Sequence, residues 1–402
     1  MKDLNKNKIG YKHTPVGWIP EDWEVKPLGN FISIKSGDSP ANYTMGSTGS
    51  FLYLKVEDLN NSNKYQYLSR FYVEEGSNKI EKGSIIFPKR GAAILNNKVR
   101  ILSKDSYMDS NLMSIKVNSD EVFNEFLYYY IIFVNLSKIA DTSTIPQINN
   151  KHIEPYKFRK PSYTEQVNIA NILCSWDKAI ETTQNLIAAK ERLKKGLMQQ
   201  LLTGKKRLPG FNGEWIKCRL GDITKNFSRR NKSGIEAKVY SVTNYDGFVL
   251  QSEHFEREIA GDDLSNYKII KKGEFAYNPA RINVGSIAQF KEDIGIISSL
   301  YVCFSVCKEL NDVFLRNFLE LEQTKYYINS LGEGGVRVYL WYPLFSKIKI
   351  QLPPIEEQLA IANVLTVADK EIELLKSQLK FYKQQKKGLM QVLLTGAVRV
   401  KI

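Results

Sequence analysis

Ile361, Leu365, Ala368, Ile372, Leu375, Leu379, Tyr382, Lys386, Leu389 and Leu393 follow one another along the chain at alternating steps of four and three. That is a heptad seam, the 3.5-residue period that keeps one apolar stripe facing a partner helix. A second seam in the same register runs through Ile169, Leu173, Trp176, Ile180, Thr183, Ile187, Lys190, Lys194, Leu197 and Leu201. Each stretch begins after a proline, Pro161 or Pro353, which a helix interior does not accept, and has no glycine until a KKG near its end. Two long helices are predicted. About 38 residues at 1.5 Å each make a rod of roughly 57 Å, longer than a domain of about 150 residues is wide. Two such rods in one chain bury their seams most economically against each other. An antiparallel pairing would place a globular unit at each end, with approximate twofold symmetry, and the seam lysines Lys194 and Lys386 would help fix the register.

The two seams belong to a larger repetition. KKGLMQQLLTG from Lys194 returns as KKGLMQVLLTG from Lys386, an offset of 192 residues. At the same offset Glu165, Gln166, Ile169, Ala170, Asn171, Leu173, Asp177 and Lys178 return as Glu357, Gln358, Ile361, Ala362, Asn363, Leu365, Asp369 and Lys370. EDWEVKPLGN (Glu21 to Asn30) matches GEWIKCRLGD (Gly213 to Asp222) at that offset as well. A period spanning nearly the whole chain reads as a tandem duplication. The expected division is a first recognition-type domain at 1–160, a helix at 161–204, a second domain at 205–352 and a helix at 353–402.

Between the helices the pattern changes to short apolar runs. FLYLKV, SIIFPKR and LMSIKV in the first unit have counterparts KVYSVT, GEFAYNPAR and LYVCFSV in the second. Helical candidates are VFNEFLYYYIIFVNLSKIA and VFLRNFLELEQTKYYIN. The expected fold class is α/β: two similar mixed α/β domains separated by two long antiparallel coiled-coil helices.

Composition bears on the partner. The chain has 402 residues, 43% of them apolar, enough for two cores, and a formal net charge of +14 that favours a polyanion such as nucleic acid. Its first residues, MKDLNKNKIG, lack the apolar stretch of a signal peptide, and its longest apolar run, FLYYYIIFV, is about half the roughly 20 residues a bilayer demands. A cytoplasmic protein without membrane attachment is expected. Cys174, Cys218, Cys303 and Cys307 show no disulfide spacing, and His13, His152 and His254 are scattered, so neither a metal site nor a Ser/His/Asp arrangement is expected.

The units diverge most in their polar loops. PKRGAAILNNKVR (Pro88 to Arg100) and NPARINVG (Asn278 to Gly285) each follow a strand and mix arginine and asparagine with glycine. Arginine suits guanine and Asn or Gln suits adenine in the major groove. Candidate DNA contacts in the first unit are Lys89, Arg90, Asn96, Asn97, Lys98 and Arg100, with Gln147, Asn149, Asn150 and Lys151 from STIPQINNK. In the second they are Asn278, Arg281 and Asn283, with Arg337, Tyr339 and Trp341 from GGVRVYLW and Arg229, Arg230 and Lys232 from FSRRNKSG. Catalytic motifs are weak. Asn278-Pro279-Ala280-Arg281 has the wrong third and fourth residues for an adenine methyltransferase. Asp222 with Glu236-Ala237-Lys238 meets only the letters of a nuclease trio, and no GxxxxGK[ST] loop is present.

With the repeat laid out, the chain resembles a specificity (S) subunit of a type I restriction-modification system. The resemblance rests on the EQ…IA…L…D…I segments (Glu165 to Ile180, Glu357 to Ile372), the KGLMQ.LLTG…R endings (Lys195 to Arg207, Lys387 to Arg399) and the W….LG openings at Trp23 and Trp215. It implies two target recognition domains that read a split, asymmetric DNA sequence and a helical spacer that binds two modification (M) subunits. It also implies that S-adenosylmethionine sits on those subunits, that ATP and Mg belong to restriction (R) subunits, and that this chain is non-catalytic and holds no cofactor. Alternatives are the specificity subunit of a combined restriction and modification enzyme of another type, and a coiled-coil scaffold that joins two protein-binding modules.

Overall fold

The computed structural model describes residues 5–400 except 245, 255–263 and 333–338. Arg337 therefore lies outside the described residues. The chain is mixed α/β, with two repeated sheet domains and a pair of long helices, Tyr163–Leu201 and Ile355–Leu393. It divides into two compact units, Met1–Gln184 with Gln378–Ile402, and Asn185–Ser377.

In the first unit the strands Ile32–Ser36, Leu112–Val117, Ile85–Pro88, Arg100–Leu102 and Tyr65–Gln66 lie side by side in that order. A second sheet places Phe51–Leu54 between Ser106–Met108, its parallel neighbour, and Phe71–Val73. The second unit repeats the plan with Thr224–Phe227, Val302–Val306, Phe275–Tyr277 and Ile287–Gln289, and with a second sheet in which Val239–Val242 runs parallel to Ile294–Ile297. The three strand counterparts expected from the letters thus occupy equivalent places. A two-stranded ribbon closes each domain: Glu24–Pro27 with Lys157–Lys160, and Ile216–Arg219 with Lys349–Leu352.

The helix candidate near Val122 forms Asn124–Val134, whose Phe126, Leu127, Tyr129 and Ile131 enter the core. Its counterpart is not one helix but two, Asp312–Leu319 and Glu322–Leu331. Between them Leu321 adopts an extended backbone, φ −61° and ψ 138°, and its side chain is buried in the core. A continuous helix would have required this residue to keep helical dihedrals.

Each unit contains half of each long helix, and the halves run antiparallel. In the first unit Ile169, Ala170 and Leu173 share a core with Met390, Leu393 and Leu394, and Trp176 meets Tyr382 edge-on at 5.7 Å. In the second, Met198, Leu201 and Leu202 share a core with Ile361 and Leu365. Ile187 and Ile372 are also buried, while Ile180, Leu197, Leu375, Leu379 and Leu389 are half-buried. The polar seam position Thr183 is buried and turns its hydroxyl back onto the Ala179 carbonyl at 2.8 Å, and Lys190 pairs with Glu371 at 2.6 Å.

The repeated letters form a repeated network. The Glu165 carboxylate is fully buried and accepts from the Trp23 indole at 2.9 Å and from the Arg399 guanidinium at 2.8 and 2.9 Å. Glu357 does the same for Trp215 at 3.0 Å and Arg207 at 2.5 and 2.6 Å. Gln166 bonds Pro161 and Glu121 carbonyls and the Phe123 amide, and Gln358 bonds Pro353, Glu309 and Asn311 in the same way. The seam lysines join the scheme: Lys386 pairs with Asp177 at 2.5 Å and Lys194 with Asp369 at 2.7 Å. Beyond each helix a glycine holds a left-handed turn, Gly204 at φ +69° and Gly396 at φ +71°. A Cβ on either would also press on the tryptophan, 3.3 Å from Trp215 or Trp23, so only glycine satisfies both demands.

Candidate nucleic-acid interface

In the first unit the loop after Ile85–Pro88 is tied to the segment around Gln147 by backbone bonds. The Ile148 amide donates to Lys89 O at 2.9 Å and the Gly91 amide to Pro146 O at 2.8 Å. Arg90 and Gln147 form a β-bridge, and Asp141 pairs with Gln147 through two 2.9 Å bonds. Residues more than fifty positions apart in sequence are thereby set beside one another. Lys89 is half-buried; burial, aided by neighbouring Arg90, pushes its ammonium below the usual lysine range. Arg90, Asn96, Asn149, Asn150 and Lys151 are exposed, and Lys98 and Gln147 are partly so. The Asn149 amide donates to His152 Nδ1 at 3.2 Å, which opens the short helix Asn150–Ile153.

Two candidates in this loop are engaged internally. Asn97 donates to Ile132 O at 2.9 Å and accepts from the Leu136 amide at 3.0 Å, anchoring the loop to the helix Asn124–Val134. Arg100 donates to the Val99 and Leu59 carbonyls, each at 2.7 Å, and burial lowers its pKa.

In the second unit the equivalent loop follows Phe275–Tyr277. The Asn278 side chain accepts from the Ala280 amide at 3.0 Å, and the Arg281 carbonyl receives the Ser286 amide at 3.1 Å, which leaves the Arg281 side chain exposed and Asn283 half-exposed. The Leu340 amide donates to Pro279 O at 3.0 Å and brings Tyr339 and Trp341 to this loop. Those two rings stack at 6.4 Å and 14°, and both are exposed. The Arg229–Lys232 segment is joined instead to the other sheet, through the Ile269 and Asn231 amides and an Arg230 to Lys268 bridge. Arg229 donates two hydrogen bonds to the Glu274 carboxylate, at 2.8 and 3.3 Å, over the Phe227 ring, and Glu274 raises its pKa. Arg230 reaches Asn266 at 2.9 Å, and Lys232 is exposed.

Such loops can do recognition chemistry: planar or forked donors and amides for base edges, cations for phosphates, and flat rings for stacking. Among the described residues no cluster of three or more His, Cys, Asp or Glu could hold a metal, and no helix is long and apolar enough to cross a membrane. Neither the cross-repeat pairing of Asp177 with Lys386 nor the joining of the loops was derived from the sequence. The identical offset of both partners was the one available signal for the former.

Two domains of one plan each present their own set of polar loops. The family model for the type I restriction modification DNA specificity domain matches twice, at residues 20–191 and 212–380, and the chain belongs to that family. It is the specificity subunit of a type I restriction-modification system. It is 25% identical to the type I restriction enzyme MjaVIII specificity subunit of Methanocaldococcus jannaschii, over 95% of this chain and 94% of that one. With the MjaIX specificity subunit of the same organism it shares 28% identity over 68% and 71% of the two chains. In fold it is similar to the S subunit of the M. genitalium type I restriction-modification system, with a TM-score of 0.56, 15% identity and full coverage of both chains.

Proposed function

We propose that the chain reads a split, asymmetric sequence in double-stranded DNA, one half with each domain, and positions two modification subunits to methylate adenine there. Residues 1–160 and 205–352 are the target recognition domains, and 161–204 and 353–402 are spacer helices that set the gap and dock the partners. The chain is non-catalytic and works in the cytoplasm. S-adenosylmethionine belongs to the modification subunits, and ATP and Mg to restriction subunits that complete the assembly.

One observation carries this reading. The same Trp, Glu, Arg and Gln hold both domains to the helices, and the same Asp and Lys join helix to helix, while the loops the domains present are unlike. Conserving the mount while changing the face is what two different readers require. In the first face Lys89, Arg90, Asn96, Lys98, Gln147, Asn149, Asn150 and Lys151 meet DNA, with Asn97 and Arg100 holding the loop. In the second, Asn278, Arg281, Asn283, Tyr339 and Trp341 do so, Arg230 and Lys232 add contacts from the segment joined to the other sheet with Arg229 as a brace, and Arg337, outside the described residues, is a further candidate.

The test is to sequence methylated adenines in cells that express the chain with its modification subunit. Arg281→Ala should weaken binding by about 1–3 kcal/mol and relax only one half of the motif. Equal weakening on all sequences would make Arg281 a phosphate contact. Methyl transfer by the purified chain alone would contradict the non-catalytic assignment.

A further inference from the structure

The loops after the two equivalent strands contain a small device of similar build. Each forms a single 3-10 turn, Ala92–Ile94 in the first unit and Ile282–Val284 in the second. Each turn buries one isoleucine, Ile94 at the end of the first and Ile282 at the start of the second, and an aliphatic side chain is exposed close by, Leu95 just after the first turn at 54% and Val284 as the last residue of the second at 55%. Backbone bonds fix both turns, from the Ile94 and Leu95 amides to Gly91 and Ala92, and from the Val284 and Gly285 amides to Arg281 and Ile282.

A lone exposed aliphatic is ordinary on a protein surface. Here one is exposed in each of the two corresponding loops, whose letters otherwise differ and which also carry cations, Lys89 and Arg90 in one and Arg281 in the other. An apolar protein surface would have to desolvate those charges, whereas DNA would pair with them. The apolar group that DNA offers at the depth of such a loop is the thymine 5-methyl in the major groove.

From this we infer that Leu95 and Val284 read thymine, one in each half-site, by contact with its 5-methyl group. The inference rests on the proposed reading of DNA by these domains and adds two specificity-determining residues that sequence reasoning did not single out. Neither contributes a hydrogen bond. Each discriminates by burying a methyl group that cytosine and uracil lack.

The experiment uses the chain in complex with its modification subunit on duplexes in which each thymine of the motif is replaced, one at a time, by deoxyuracil. One replacement in each half-site should weaken binding about fourfold, the equivalent of ~0.8 kcal/mol for one buried methyl group. Leu95→Ala should abolish that penalty in the first half-site only, and Val284→Ala in the second only, so that each variant carries its own folding control in the other half. A penalty that persists in both variants, or no penalty with the unchanged chain, overturns the inference. So does a variant that binds more weakly yet never distinguishes thymine from uracil, because the side chain would then wedge between bases rather than read a methyl group. Absence of any sequence-specific binding by the unchanged complex would instead remove the DNA-reading proposal itself.

Discussion

The two units share their mount and differ in how firmly each is braced. Arg399 grips Glu165 and also forks onto Asp22 at 2.7 and 2.8 Å, whereas Arg207 grips Glu357 and adds the Gly213 carbonyl at 2.9 Å. Asp177 takes the Tyr129 hydroxyl at 2.6 Å in addition to Lys386, but Asp369 has Arg316 at 3.6 Å beside Lys194. The recurring partners are those that join a recognition domain to the helices or one helix to the other. The supplementary ones come from domain residues that have diverged with the loops, which shows where the duplication is free to vary.

Removing a shared partner should have the largest effect and strike both units alike. Glu165→Ala leaves the buried Trp23 indole without its acceptor and Arg399 with Asp22 alone, and should cost about 3 kcal/mol in chemical unfolding followed by tryptophan fluorescence. Glu357→Ala should destabilise the second unit in the same way, and a neutral outcome in either would break the equivalence. Next comes the seam aspartate. Asp177→Asn should cost about 1–2 kcal/mol and more than Asp369→Asn, because it also weakens the bond to the buried Tyr129. Equal losses would show that Tyr129 adds nothing.

Acid should separate the units. The hydrogen bond from Arg399 holds the Asp22 carboxyl below its ordinary value of 3.8, outweighing the opposing effect of partial burial. A carboxyl whose folded pKa is depressed stabilises above its unfolded pKa and loses that contribution as the pH falls through the folded one. The first unit should therefore give up about 0.5–1 kcal/mol below about pH 4, discounted for the exposure of the pair, and Asp22→Asn should erase this acid-sensitive step in a pH series of unfolding curves. The smallest effect concerns a core position where the units differ. Tyr277 is fully buried and its hydroxyl has no hydrogen-bond partner among the described residues, while Phe87 stands opposite Met113 as Tyr277 stands opposite Val302. Tyr277→Phe should leave stability unchanged or raise it by less than about 0.5 kcal/mol, and a loss by calorimetry would reveal a partner for the hydroxyl.

What could be read from letters was periodic or duplicated. The heptad seam, the 192-residue offset and the strand runs carry their own spacing, and the two sheet domains and long helices follow from them. The split at Leu321 carries no glycine or proline, so its sequence still reads as one helix. In the interface, arginine and asparagine marked the loops, but composition does not distinguish Arg281, which is exposed, from Arg229, which is paired with Glu274, because the partner lies 45 residues away. Asn97 likewise reads as a donor for adenine until the Ile132 carbonyl and Leu136 amide are seen to occupy it. Leu95 and Val284 were passed over because an aliphatic residue in a polar loop has no signature until its exposure is known.

The central claim is that one scaffold holds two independent readers. Its most direct test is to replace residues 205–352 with a second copy of residues 13–160, the stretch 192 positions earlier, and to sequence the methylated adenines made with the modification subunit. The second half-site should disappear and an inverted copy of the first take its place, giving a symmetric motif. Methylation of the original asymmetric motif by that chimera would contradict it.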